Sequence, residues 1–132
     1  MKDKKIPIQR LDHLVLTVND LEKTIVFYTE VLDMDLISFG DNRKALKFGD
    51  QKINLHIKGE EIEPKATIAL PGTADLCLIT SIPLNDVKEI LEFNNLKMYP
   101  DIIKRTGALG DIRSIYARDP DQNLIEISSY NF

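Results

Sequence analysis

One order of elements, strand, helix and three further strands, is spelled out twice in this 132-residue chain. Few folds accommodate that pattern. The first copy runs from Leu11 to Lys58 and the second from Ala74 to Tyr130, with a connector over 59–73 that holds Pro64 and Pro71-Gly72 and shows no periodicity. In the first copy, Leu14, Leu16 and Val18 alternate as one face of a strand. Asn19 and Asp20 offer an N-cap, and Leu21, Ile25, Tyr28 and Leu32 recur at helical spacing up to a stop near Asp33. Leu36 to Phe39, Lys44 to Phe48 and Lys52 to Ile57 read as short strands separated by Asp41-Asn42 and Gly49-Asp50 turns.

The second copy opens with a strand over Asp75 to Thr80 and a helix over Pro83 to Asn94, striped by Val87, Ile90 and Leu91. Strands are predicted near Lys97 to Tyr99, over Ile112 to Arg118 and over Leu124 to Tyr130, with a loop over Lys104 to Asp111. Asp119-Pro120-Asp121-Gln122-Asn123 is a dense turn signal, because proline fixes φ while Asp and Asn bond back to their own backbone. The expected fold is α+β, two tandem βαβββ modules in one 1–132 domain. Each module carries a helix on one face of its sheet and leaves the other face free to line a cavity.

The bulk properties narrow the function. At 43% hydrophobic and 29% charged residues the chain suits a packed globular domain. A net charge of −4 and a pI near 5.2 leave no basic footprint for nucleic acid. No apolar run approaches the ~20 residues that cross a bilayer. The single cysteine, Cys77, fits a reducing cytoplasm and is expected to be a small buried residue on its strand.

Four strands each place one metal-ligand type on the side away from their best apolar face. Glu126 opposes Ile125 and Ile127, His13 opposes Leu14 and Leu16, His56 opposes Leu55 and Ile57, and Asp75 opposes Leu76 and Leu78. A carboxylate in mid-strand is costly to cover unless it is paired or bound to a metal. His13 and Asp75 fall on equivalent first strands and His56 and Glu126 on equivalent last strands. Asn54, one pleat from His56, matches Glu126 equally well.

Several stretches together resemble the vicinal oxygen chelate superfamily, which includes glyoxalase I, extradiol dioxygenases, fosfomycin-resistance thiol transferases and bleomycin-binding proteins. These are LDHLVLTVNDLEKTIVFYTEVL, RKALKFGDQKINLH, ADLCLI and RTGALGDIRSIYARDPDQNLIEIS. They look most similar to the glyoxalase domain-containing protein 5 type. The resemblance implies a divalent ion held by the first and last strands of the two modules. His13 and Glu126 match ligand positions, Asp75 stands where many members have His, and the remaining slot falls on Asn54 or His56. It also implies a homodimer, and Asp33 in place of the glycine usual after the first helix.

The leading expectation is therefore a cytoplasmic, metal-dependent enzyme of glyoxalase type, acting on a small oxygen-rich metabolite. Its ligands are His13, His56, Asp75 and Glu126, with Glu126 doubling as proton acceptor. Zn²⁺, Mn²⁺, Fe²⁺ and Ni²⁺ all suit that set. Arg105, Arg113 and Tyr116, with Lys104, are the candidates for substrate binding. Two alternatives stand beside it: a non-catalytic small-molecule (antibiotic-sequestering) binding protein, and an Fe²⁺ dioxygenase using His13, His56 and Glu126. No nucleic-acid or membrane partner is expected.

Overall fold

The computed structural model describes residues 4–99 and 101–132. Its strands form two four-stranded sheets of the same design. Strands β1 (His13–Val18), β2 (Asp35–Phe39), β3 (Arg43–Phe48) and β4 (Gln51–Ile57) make the first, in the order β1-β4-β3-β2. Strands β5 (Asp75–Ile79), β6 (Ile103–Gly107), β7 (Gly110–Arg118) and β8 (Leu124–Ser129) make the second, in the order β5-β8-β7-β6. In each sheet the first strand pairs parallel to the last and the other pairs are antiparallel. This is the expected tandem βαβββ fold.

Helix α1 (Leu21–Val26) starts where Asp20 caps it, its carboxylate accepting from the Lys23 amide at 3.0 Å, with Glu22 favoured by the dipole in the first turn. It continues as a π-helical turn over Phe27–Val31 and ends at Asp33, whose φ of +56° is the left-handed conformation a glycine would adopt more readily. Helix α2 (Leu84–Phe93) buries Leu84, Val87 and Leu91 and stops before Asn95, also at positive φ. The apolar strand faces close into one core that contains Leu16, Val18, Tyr28, Ile53, Ile115 and Ile125.

One expectation is corrected. Lys97 to Tyr99 does not form a strand; Met98 makes an isolated bridge to Ala117. The strand lies instead at Ile103–Gly107, all but its first residue in the Lys104 to Asp111 stretch read as a loop, and pairs with β7 through a hairpin. As the edge of its sheet this strand can be cationic, and Lys104 pairs with Asp111 across the hairpin at 3.2 Å. That polarity hid it.

The turn between β7 and β8 ties the molecule together. Asp119 is buried, and its Oδ1 accepts the amides of Asp121 and Asn123 at 2.9 and 3.0 Å. Its Oδ2 accepts Tyr28 Oη at 2.7 Å and Asn123 Nδ2 at 2.8 Å. Asn123 Oδ1 accepts the Ala74 amide at 2.9 Å, and Asp121 Oδ1 accepts Asn19 Nδ2 at 2.9 Å. The turn thus anchors the helical segment, the end of β1 and the start of β5.

Burial, and after it the neighbouring Asp119 carboxylate, push the Tyr28 hydroxyl far above the ordinary phenol range. The fold holds the protonated form, so this contribution to stability is complete below about pH 10 and is lost as pH rises beyond it. Tyr28→Phe should cost about 1–2 kcal/mol near neutral pH, because Asp119 keeps its three other donors. Above about pH 10 the variant should lose stability less steeply than the wild type, by close to one proton. Urea titrations at several pH values measure both effects, and equal alkaline slopes would contradict the second.

Candidate functional site

Register decides which side chains share a face and a level. In the first sheet His13 lies level with Lys52, Val15 with Asn54 and Thr17 with His56. In the second, Asp75 lies level with Leu124, Cys77 with Glu126 and Ile79 with Ser128. On the next strand inward, Ala45 stands beside Asn54 and Tyr116 beside Glu126. Asn54 therefore occupies in the first sheet the place that Glu126 occupies in the second, two residues beyond the level of His13 and Asp75 respectively. His56 corresponds to Ser128 instead.

That offset separates the two histidines. Thr17 is four residues beyond His13, which at ~3.3 Å per residue puts His56 about 13 Å farther along the sheet. Asn54 is only about 7 Å along from His13, as Glu126 is from Asp75. The sheet brings His13 and Asn54 together as one pair and Asp75 and Glu126 as another; it does not bring His56 to His13. Among the described residues, no three His, Cys, Asp or Glu side chains gather closely enough to hold one ion.

Each pair has features suited to a ligand. His13 is exposed, and its Nδ1 meets Asp12 Oδ1 at 2.7 Å. Such a contact favours the proton on Nδ1 and leaves the Nε2 lone pair available, the carboxylate–histidine arrangement of metal ligands. The same hydrogen bond, helped by Arg10, holds the Asp12 carboxyl below its ordinary range. Asn54 is buried, and its Oδ1 has no hydrogen-bond partner among the described residues. Asp75 is exposed at the start of β5.

Glu126 is half-buried, and the chain supplies partners that the sequence did not advertise. Its Oε2 accepts Ser114 Oγ at 2.6 Å and Ser128 Oγ at 3.4 Å. Ser128 in turn lies 3.3 Å from Cys77 Sγ. Cys77 is exposed on the Glu126 face, not buried, because β5 leaves that side uncovered. Desolvation pushes its thiol up against the opposing Ser128 hydrogen bond, with lesser upward contributions from the Glu126 and Asp75 carboxylates.

The proposed substrate contacts divide between the faces. Tyr116 stands on the Glu126 face, and Arg105 Nε donates to Tyr116 Oη at 2.9 Å. Arg118, which composition did not single out, reaches the same face and donates to Tyr99 Oη at 2.8 Å. Arg113 lies on the opposite face, level with Ser129 and stacked over Phe132 at 4.1 Å; Lys104 is beside it. Neither of these two is directed toward Glu126.

His56 is 5% exposed, and its Nε2 is shielded without a partner among the described residues. Desolvation, with Arg43 adding to it, lowers its pKa from the usual imidazole range.

The model of the Glyoxalase/Bleomycin resistance protein/Dioxygenase superfamily matches residues 10–93. The chain is 58% identical over 124 residues to virulence protein STM3117 of Salmonella typhimurium, covering 93% of this chain and 85% of that one. It is 50% identical over 129 residues to the glyoxalase domain-containing protein RDO1 of Mycosarcoma maydis, covering 98% of this chain and 73% of that one. An integron cassette protein from V. cholerae superimposes with a TM-score of 0.93 at 51% identity, covering 96% of this chain and 99% of the other. The repeated fold, the equivalent strand positions and these matches agree: the chain belongs to the glyoxalase/bleomycin resistance/dioxygenase superfamily.

Proposed function

We propose that the chain is a metal-dependent enzyme in which His13, Asn54, Asp75 and Glu126 hold one divalent ion. The equivalence of the His13–Asn54 and Asp75–Glu126 registers carries this reading. The donor set of imidazole nitrogen, amide oxygen and two carboxylates suits Zn²⁺, Mn²⁺, Fe²⁺ or Ni²⁺. A bound ion supplies Lewis-acid stabilisation of an oxyanion on a small substrate with two neighbouring oxygens. Ser114 fixes the Glu126 carboxylate by way of Oε2, leaving Oε1 to ligate or to accept a proton. Arg105 and Arg118, each tethered to a tyrosine, are placed to receive an anionic substrate group.

The two pairs sit on different sheets, and apolar Val15 and Ile79 remain 46% and 56% exposed on the same faces. A second copy of the chain would cover them and bring the His13–Asn54 pair of one protomer to the Asp75–Glu126 pair of the other. A homodimer is the expected state in solution, and light scattering that gives a monomer at micromolar concentration would contradict it.

Metal content of protein purified without chelator tests the proposal. Asp75 is the shortest carboxylate of the set, at the exposed strand start, so Asp75→Asn should keep most of the metal. His13→Ala should lose most of it. Equal loss in the two variants would overturn that ranking, and a metal-free wild type that takes up none of the four ions would overturn the reading. A non-catalytic binding protein is then the better account, favoured by the hydrogen bonds that already satisfy Glu126 within the chain.

A further inference from the structure

A cavity of about 610 Å³ lies at the turn end of the second sheet, between Phe27 of the π-helical turn, the segment 95–99 and the turn that follows β7. Its volume is in the range of small-molecule sites, and it is half open to solvent. Phe27, Leu96, Met98 and Pro120 supply apolar wall, and Lys97 and Arg118 supply charge. Met98 bridges Ala117 in the antiparallel sense, which sets Lys97 opposite Arg118. Like charges in that relation repel, and among the described residues neither cation takes part in an ion pair. Arg118 is nevertheless held in place. Its Nη2 donates to Tyr99 Oη at 2.8 Å and its Nη1 to the Gln122 carbonyl at 3.2 Å, both neutral acceptors, and the guanidinium lies 5.8 Å from the centre of the Tyr99 ring. A fixed guanidinium without a counter-charge is pre-organised for an anion. Asp119 also lines the cavity, with its carboxylate already taken up by four donors. Set against Lys97 and Arg118, it leaves the lining with one net positive charge.

We propose that this cavity receives the anionic end of the substrate, a singly charged carboxylate on a short apolar body. The carboxylate sits between Lys97 and Arg118, and the body lies against Phe27, Leu96 and Met98. One negative charge balances the lining, whereas a phosphate dianion would overshoot it. The inference rests on the metal-enzyme reading only in taking the bound anion for the substrate, because none of His13, Asn54, Asp75 and Glu126 lines the cavity. Tyr99 links the two places. Its amide donates to the carbonyl of Tyr116 at 3.0 Å, its ring meets the Tyr116 ring edge-on, and Tyr116 stands level with Glu126.

Methionine-methyl NMR tests the proposal, because Met98 lines the cavity and Met34, buried in the core, does not. The probes are cyclohexanecarboxylate, its neutral amide cyclohexanecarboxamide, and inorganic phosphate, each titrated into the metal-free chain. The expected result is a saturable shift at the Met98 methyl with the carboxylate while Met34 stays unmoved. The amide and phosphate should bind roughly tenfold or more weakly. Arg118→Gln and Lys97→Gln should each bring the carboxylate down to the affinity of the amide, a loss of discrimination that a merely structural role would not produce. Lys97 is exposed, so its variant provides the test should the Arg118 variant misfold. No saturable shift at Met98, equal affinities for carboxylate and amide, tighter binding of phosphate, or undiminished carboxylate binding in a folded Lys97→Gln chain would overturn the proposal. Metal content is read separately. A chain that takes up no metal yet binds the carboxylate would contradict the metal-enzyme reading and leave this site standing.

Discussion

Alanine in place of Asp119 is expected to destabilise the fold by roughly 3–5 kcal/mol, at the upper end of what single substitutions do. The reason is the number of donors that converge on one buried carboxylate. Tyr28 Oη, Asn123 Nδ2 and the amides of Asp121 and Asn123 all lose their acceptor together. Removing an acceptor from buried donors costs their desolvation, about 1–3 kcal/mol each when nothing replaces it, although water entering the gap recovers part. The loss also spreads, because Asn123 holds the start of β5 and the neighbouring Asp121 holds the end of β1. Asp119→Asn should recover part of the stability, since one end of the amide still accepts. Urea denaturation gives both values, and a cost below about 1 kcal/mol for the alanine variant would mean that the turn is not the tie described here.

The second large effect concerns metal-linked stability. An ion that binds only the folded protein, present at a hundred times its dissociation constant, should stabilise the wild type by about 2.7 kcal/mol. His13→Ala and Glu126→Ala should each remove nearly all of that gain, and the double variant should lose little more than the worse single one. Ligands to one ion act as a unit. Without metal, Glu126→Ala should cost only about 1 kcal/mol, because Ser114 and Ser128 remain hydrogen-bonded to each other at 2.7 Å. That contrast separates a ligand from a structural carboxylate. Thermal denaturation with and without added Zn²⁺, Mn²⁺, Fe²⁺ or Ni²⁺ measures it. Additive losses in the two single variants would count against a shared ion.

The repeat of elements was legible because apolar alternation and helical stripes are strong local signals, as Leu14-Leu16-Val18 and Val87 with Leu91 illustrate, although Ile90 of the expected stripe stays exposed while Leu84 is buried. The faces of His13, Asp75 and Glu126 followed from the same alternation. What alternation cannot give is level along a strand. Asn54 and His56 are two residues apart and share a face, so only the pairing of β1 with β4 distinguishes them. Arg113 is one residue from Ser114 and therefore on the other face, although as a cation near Glu126 in composition it looked equivalent to Arg105. Ser114 and Ser128 gave no signal, since a serine in a strand resembles surface filler until its hydroxyl is seen on a carboxylate. Edge strand β6 was missed because an edge needs no apolar face.

Mixing His13→Ala chains with Glu126→Ala chains tests most directly whether the two pairs form one centre across a dimer. Differently tagged chains would be refolded together, the mixed dimer isolated, and its metal counted. A dimer that shares its sites keeps one intact centre in the mixture, built from the unaltered His13 of one protomer and the unaltered Glu126 of the other. The account predicts one ion per mixed dimer and essentially none in either parent variant. A mixed dimer as empty as its parents would contradict it.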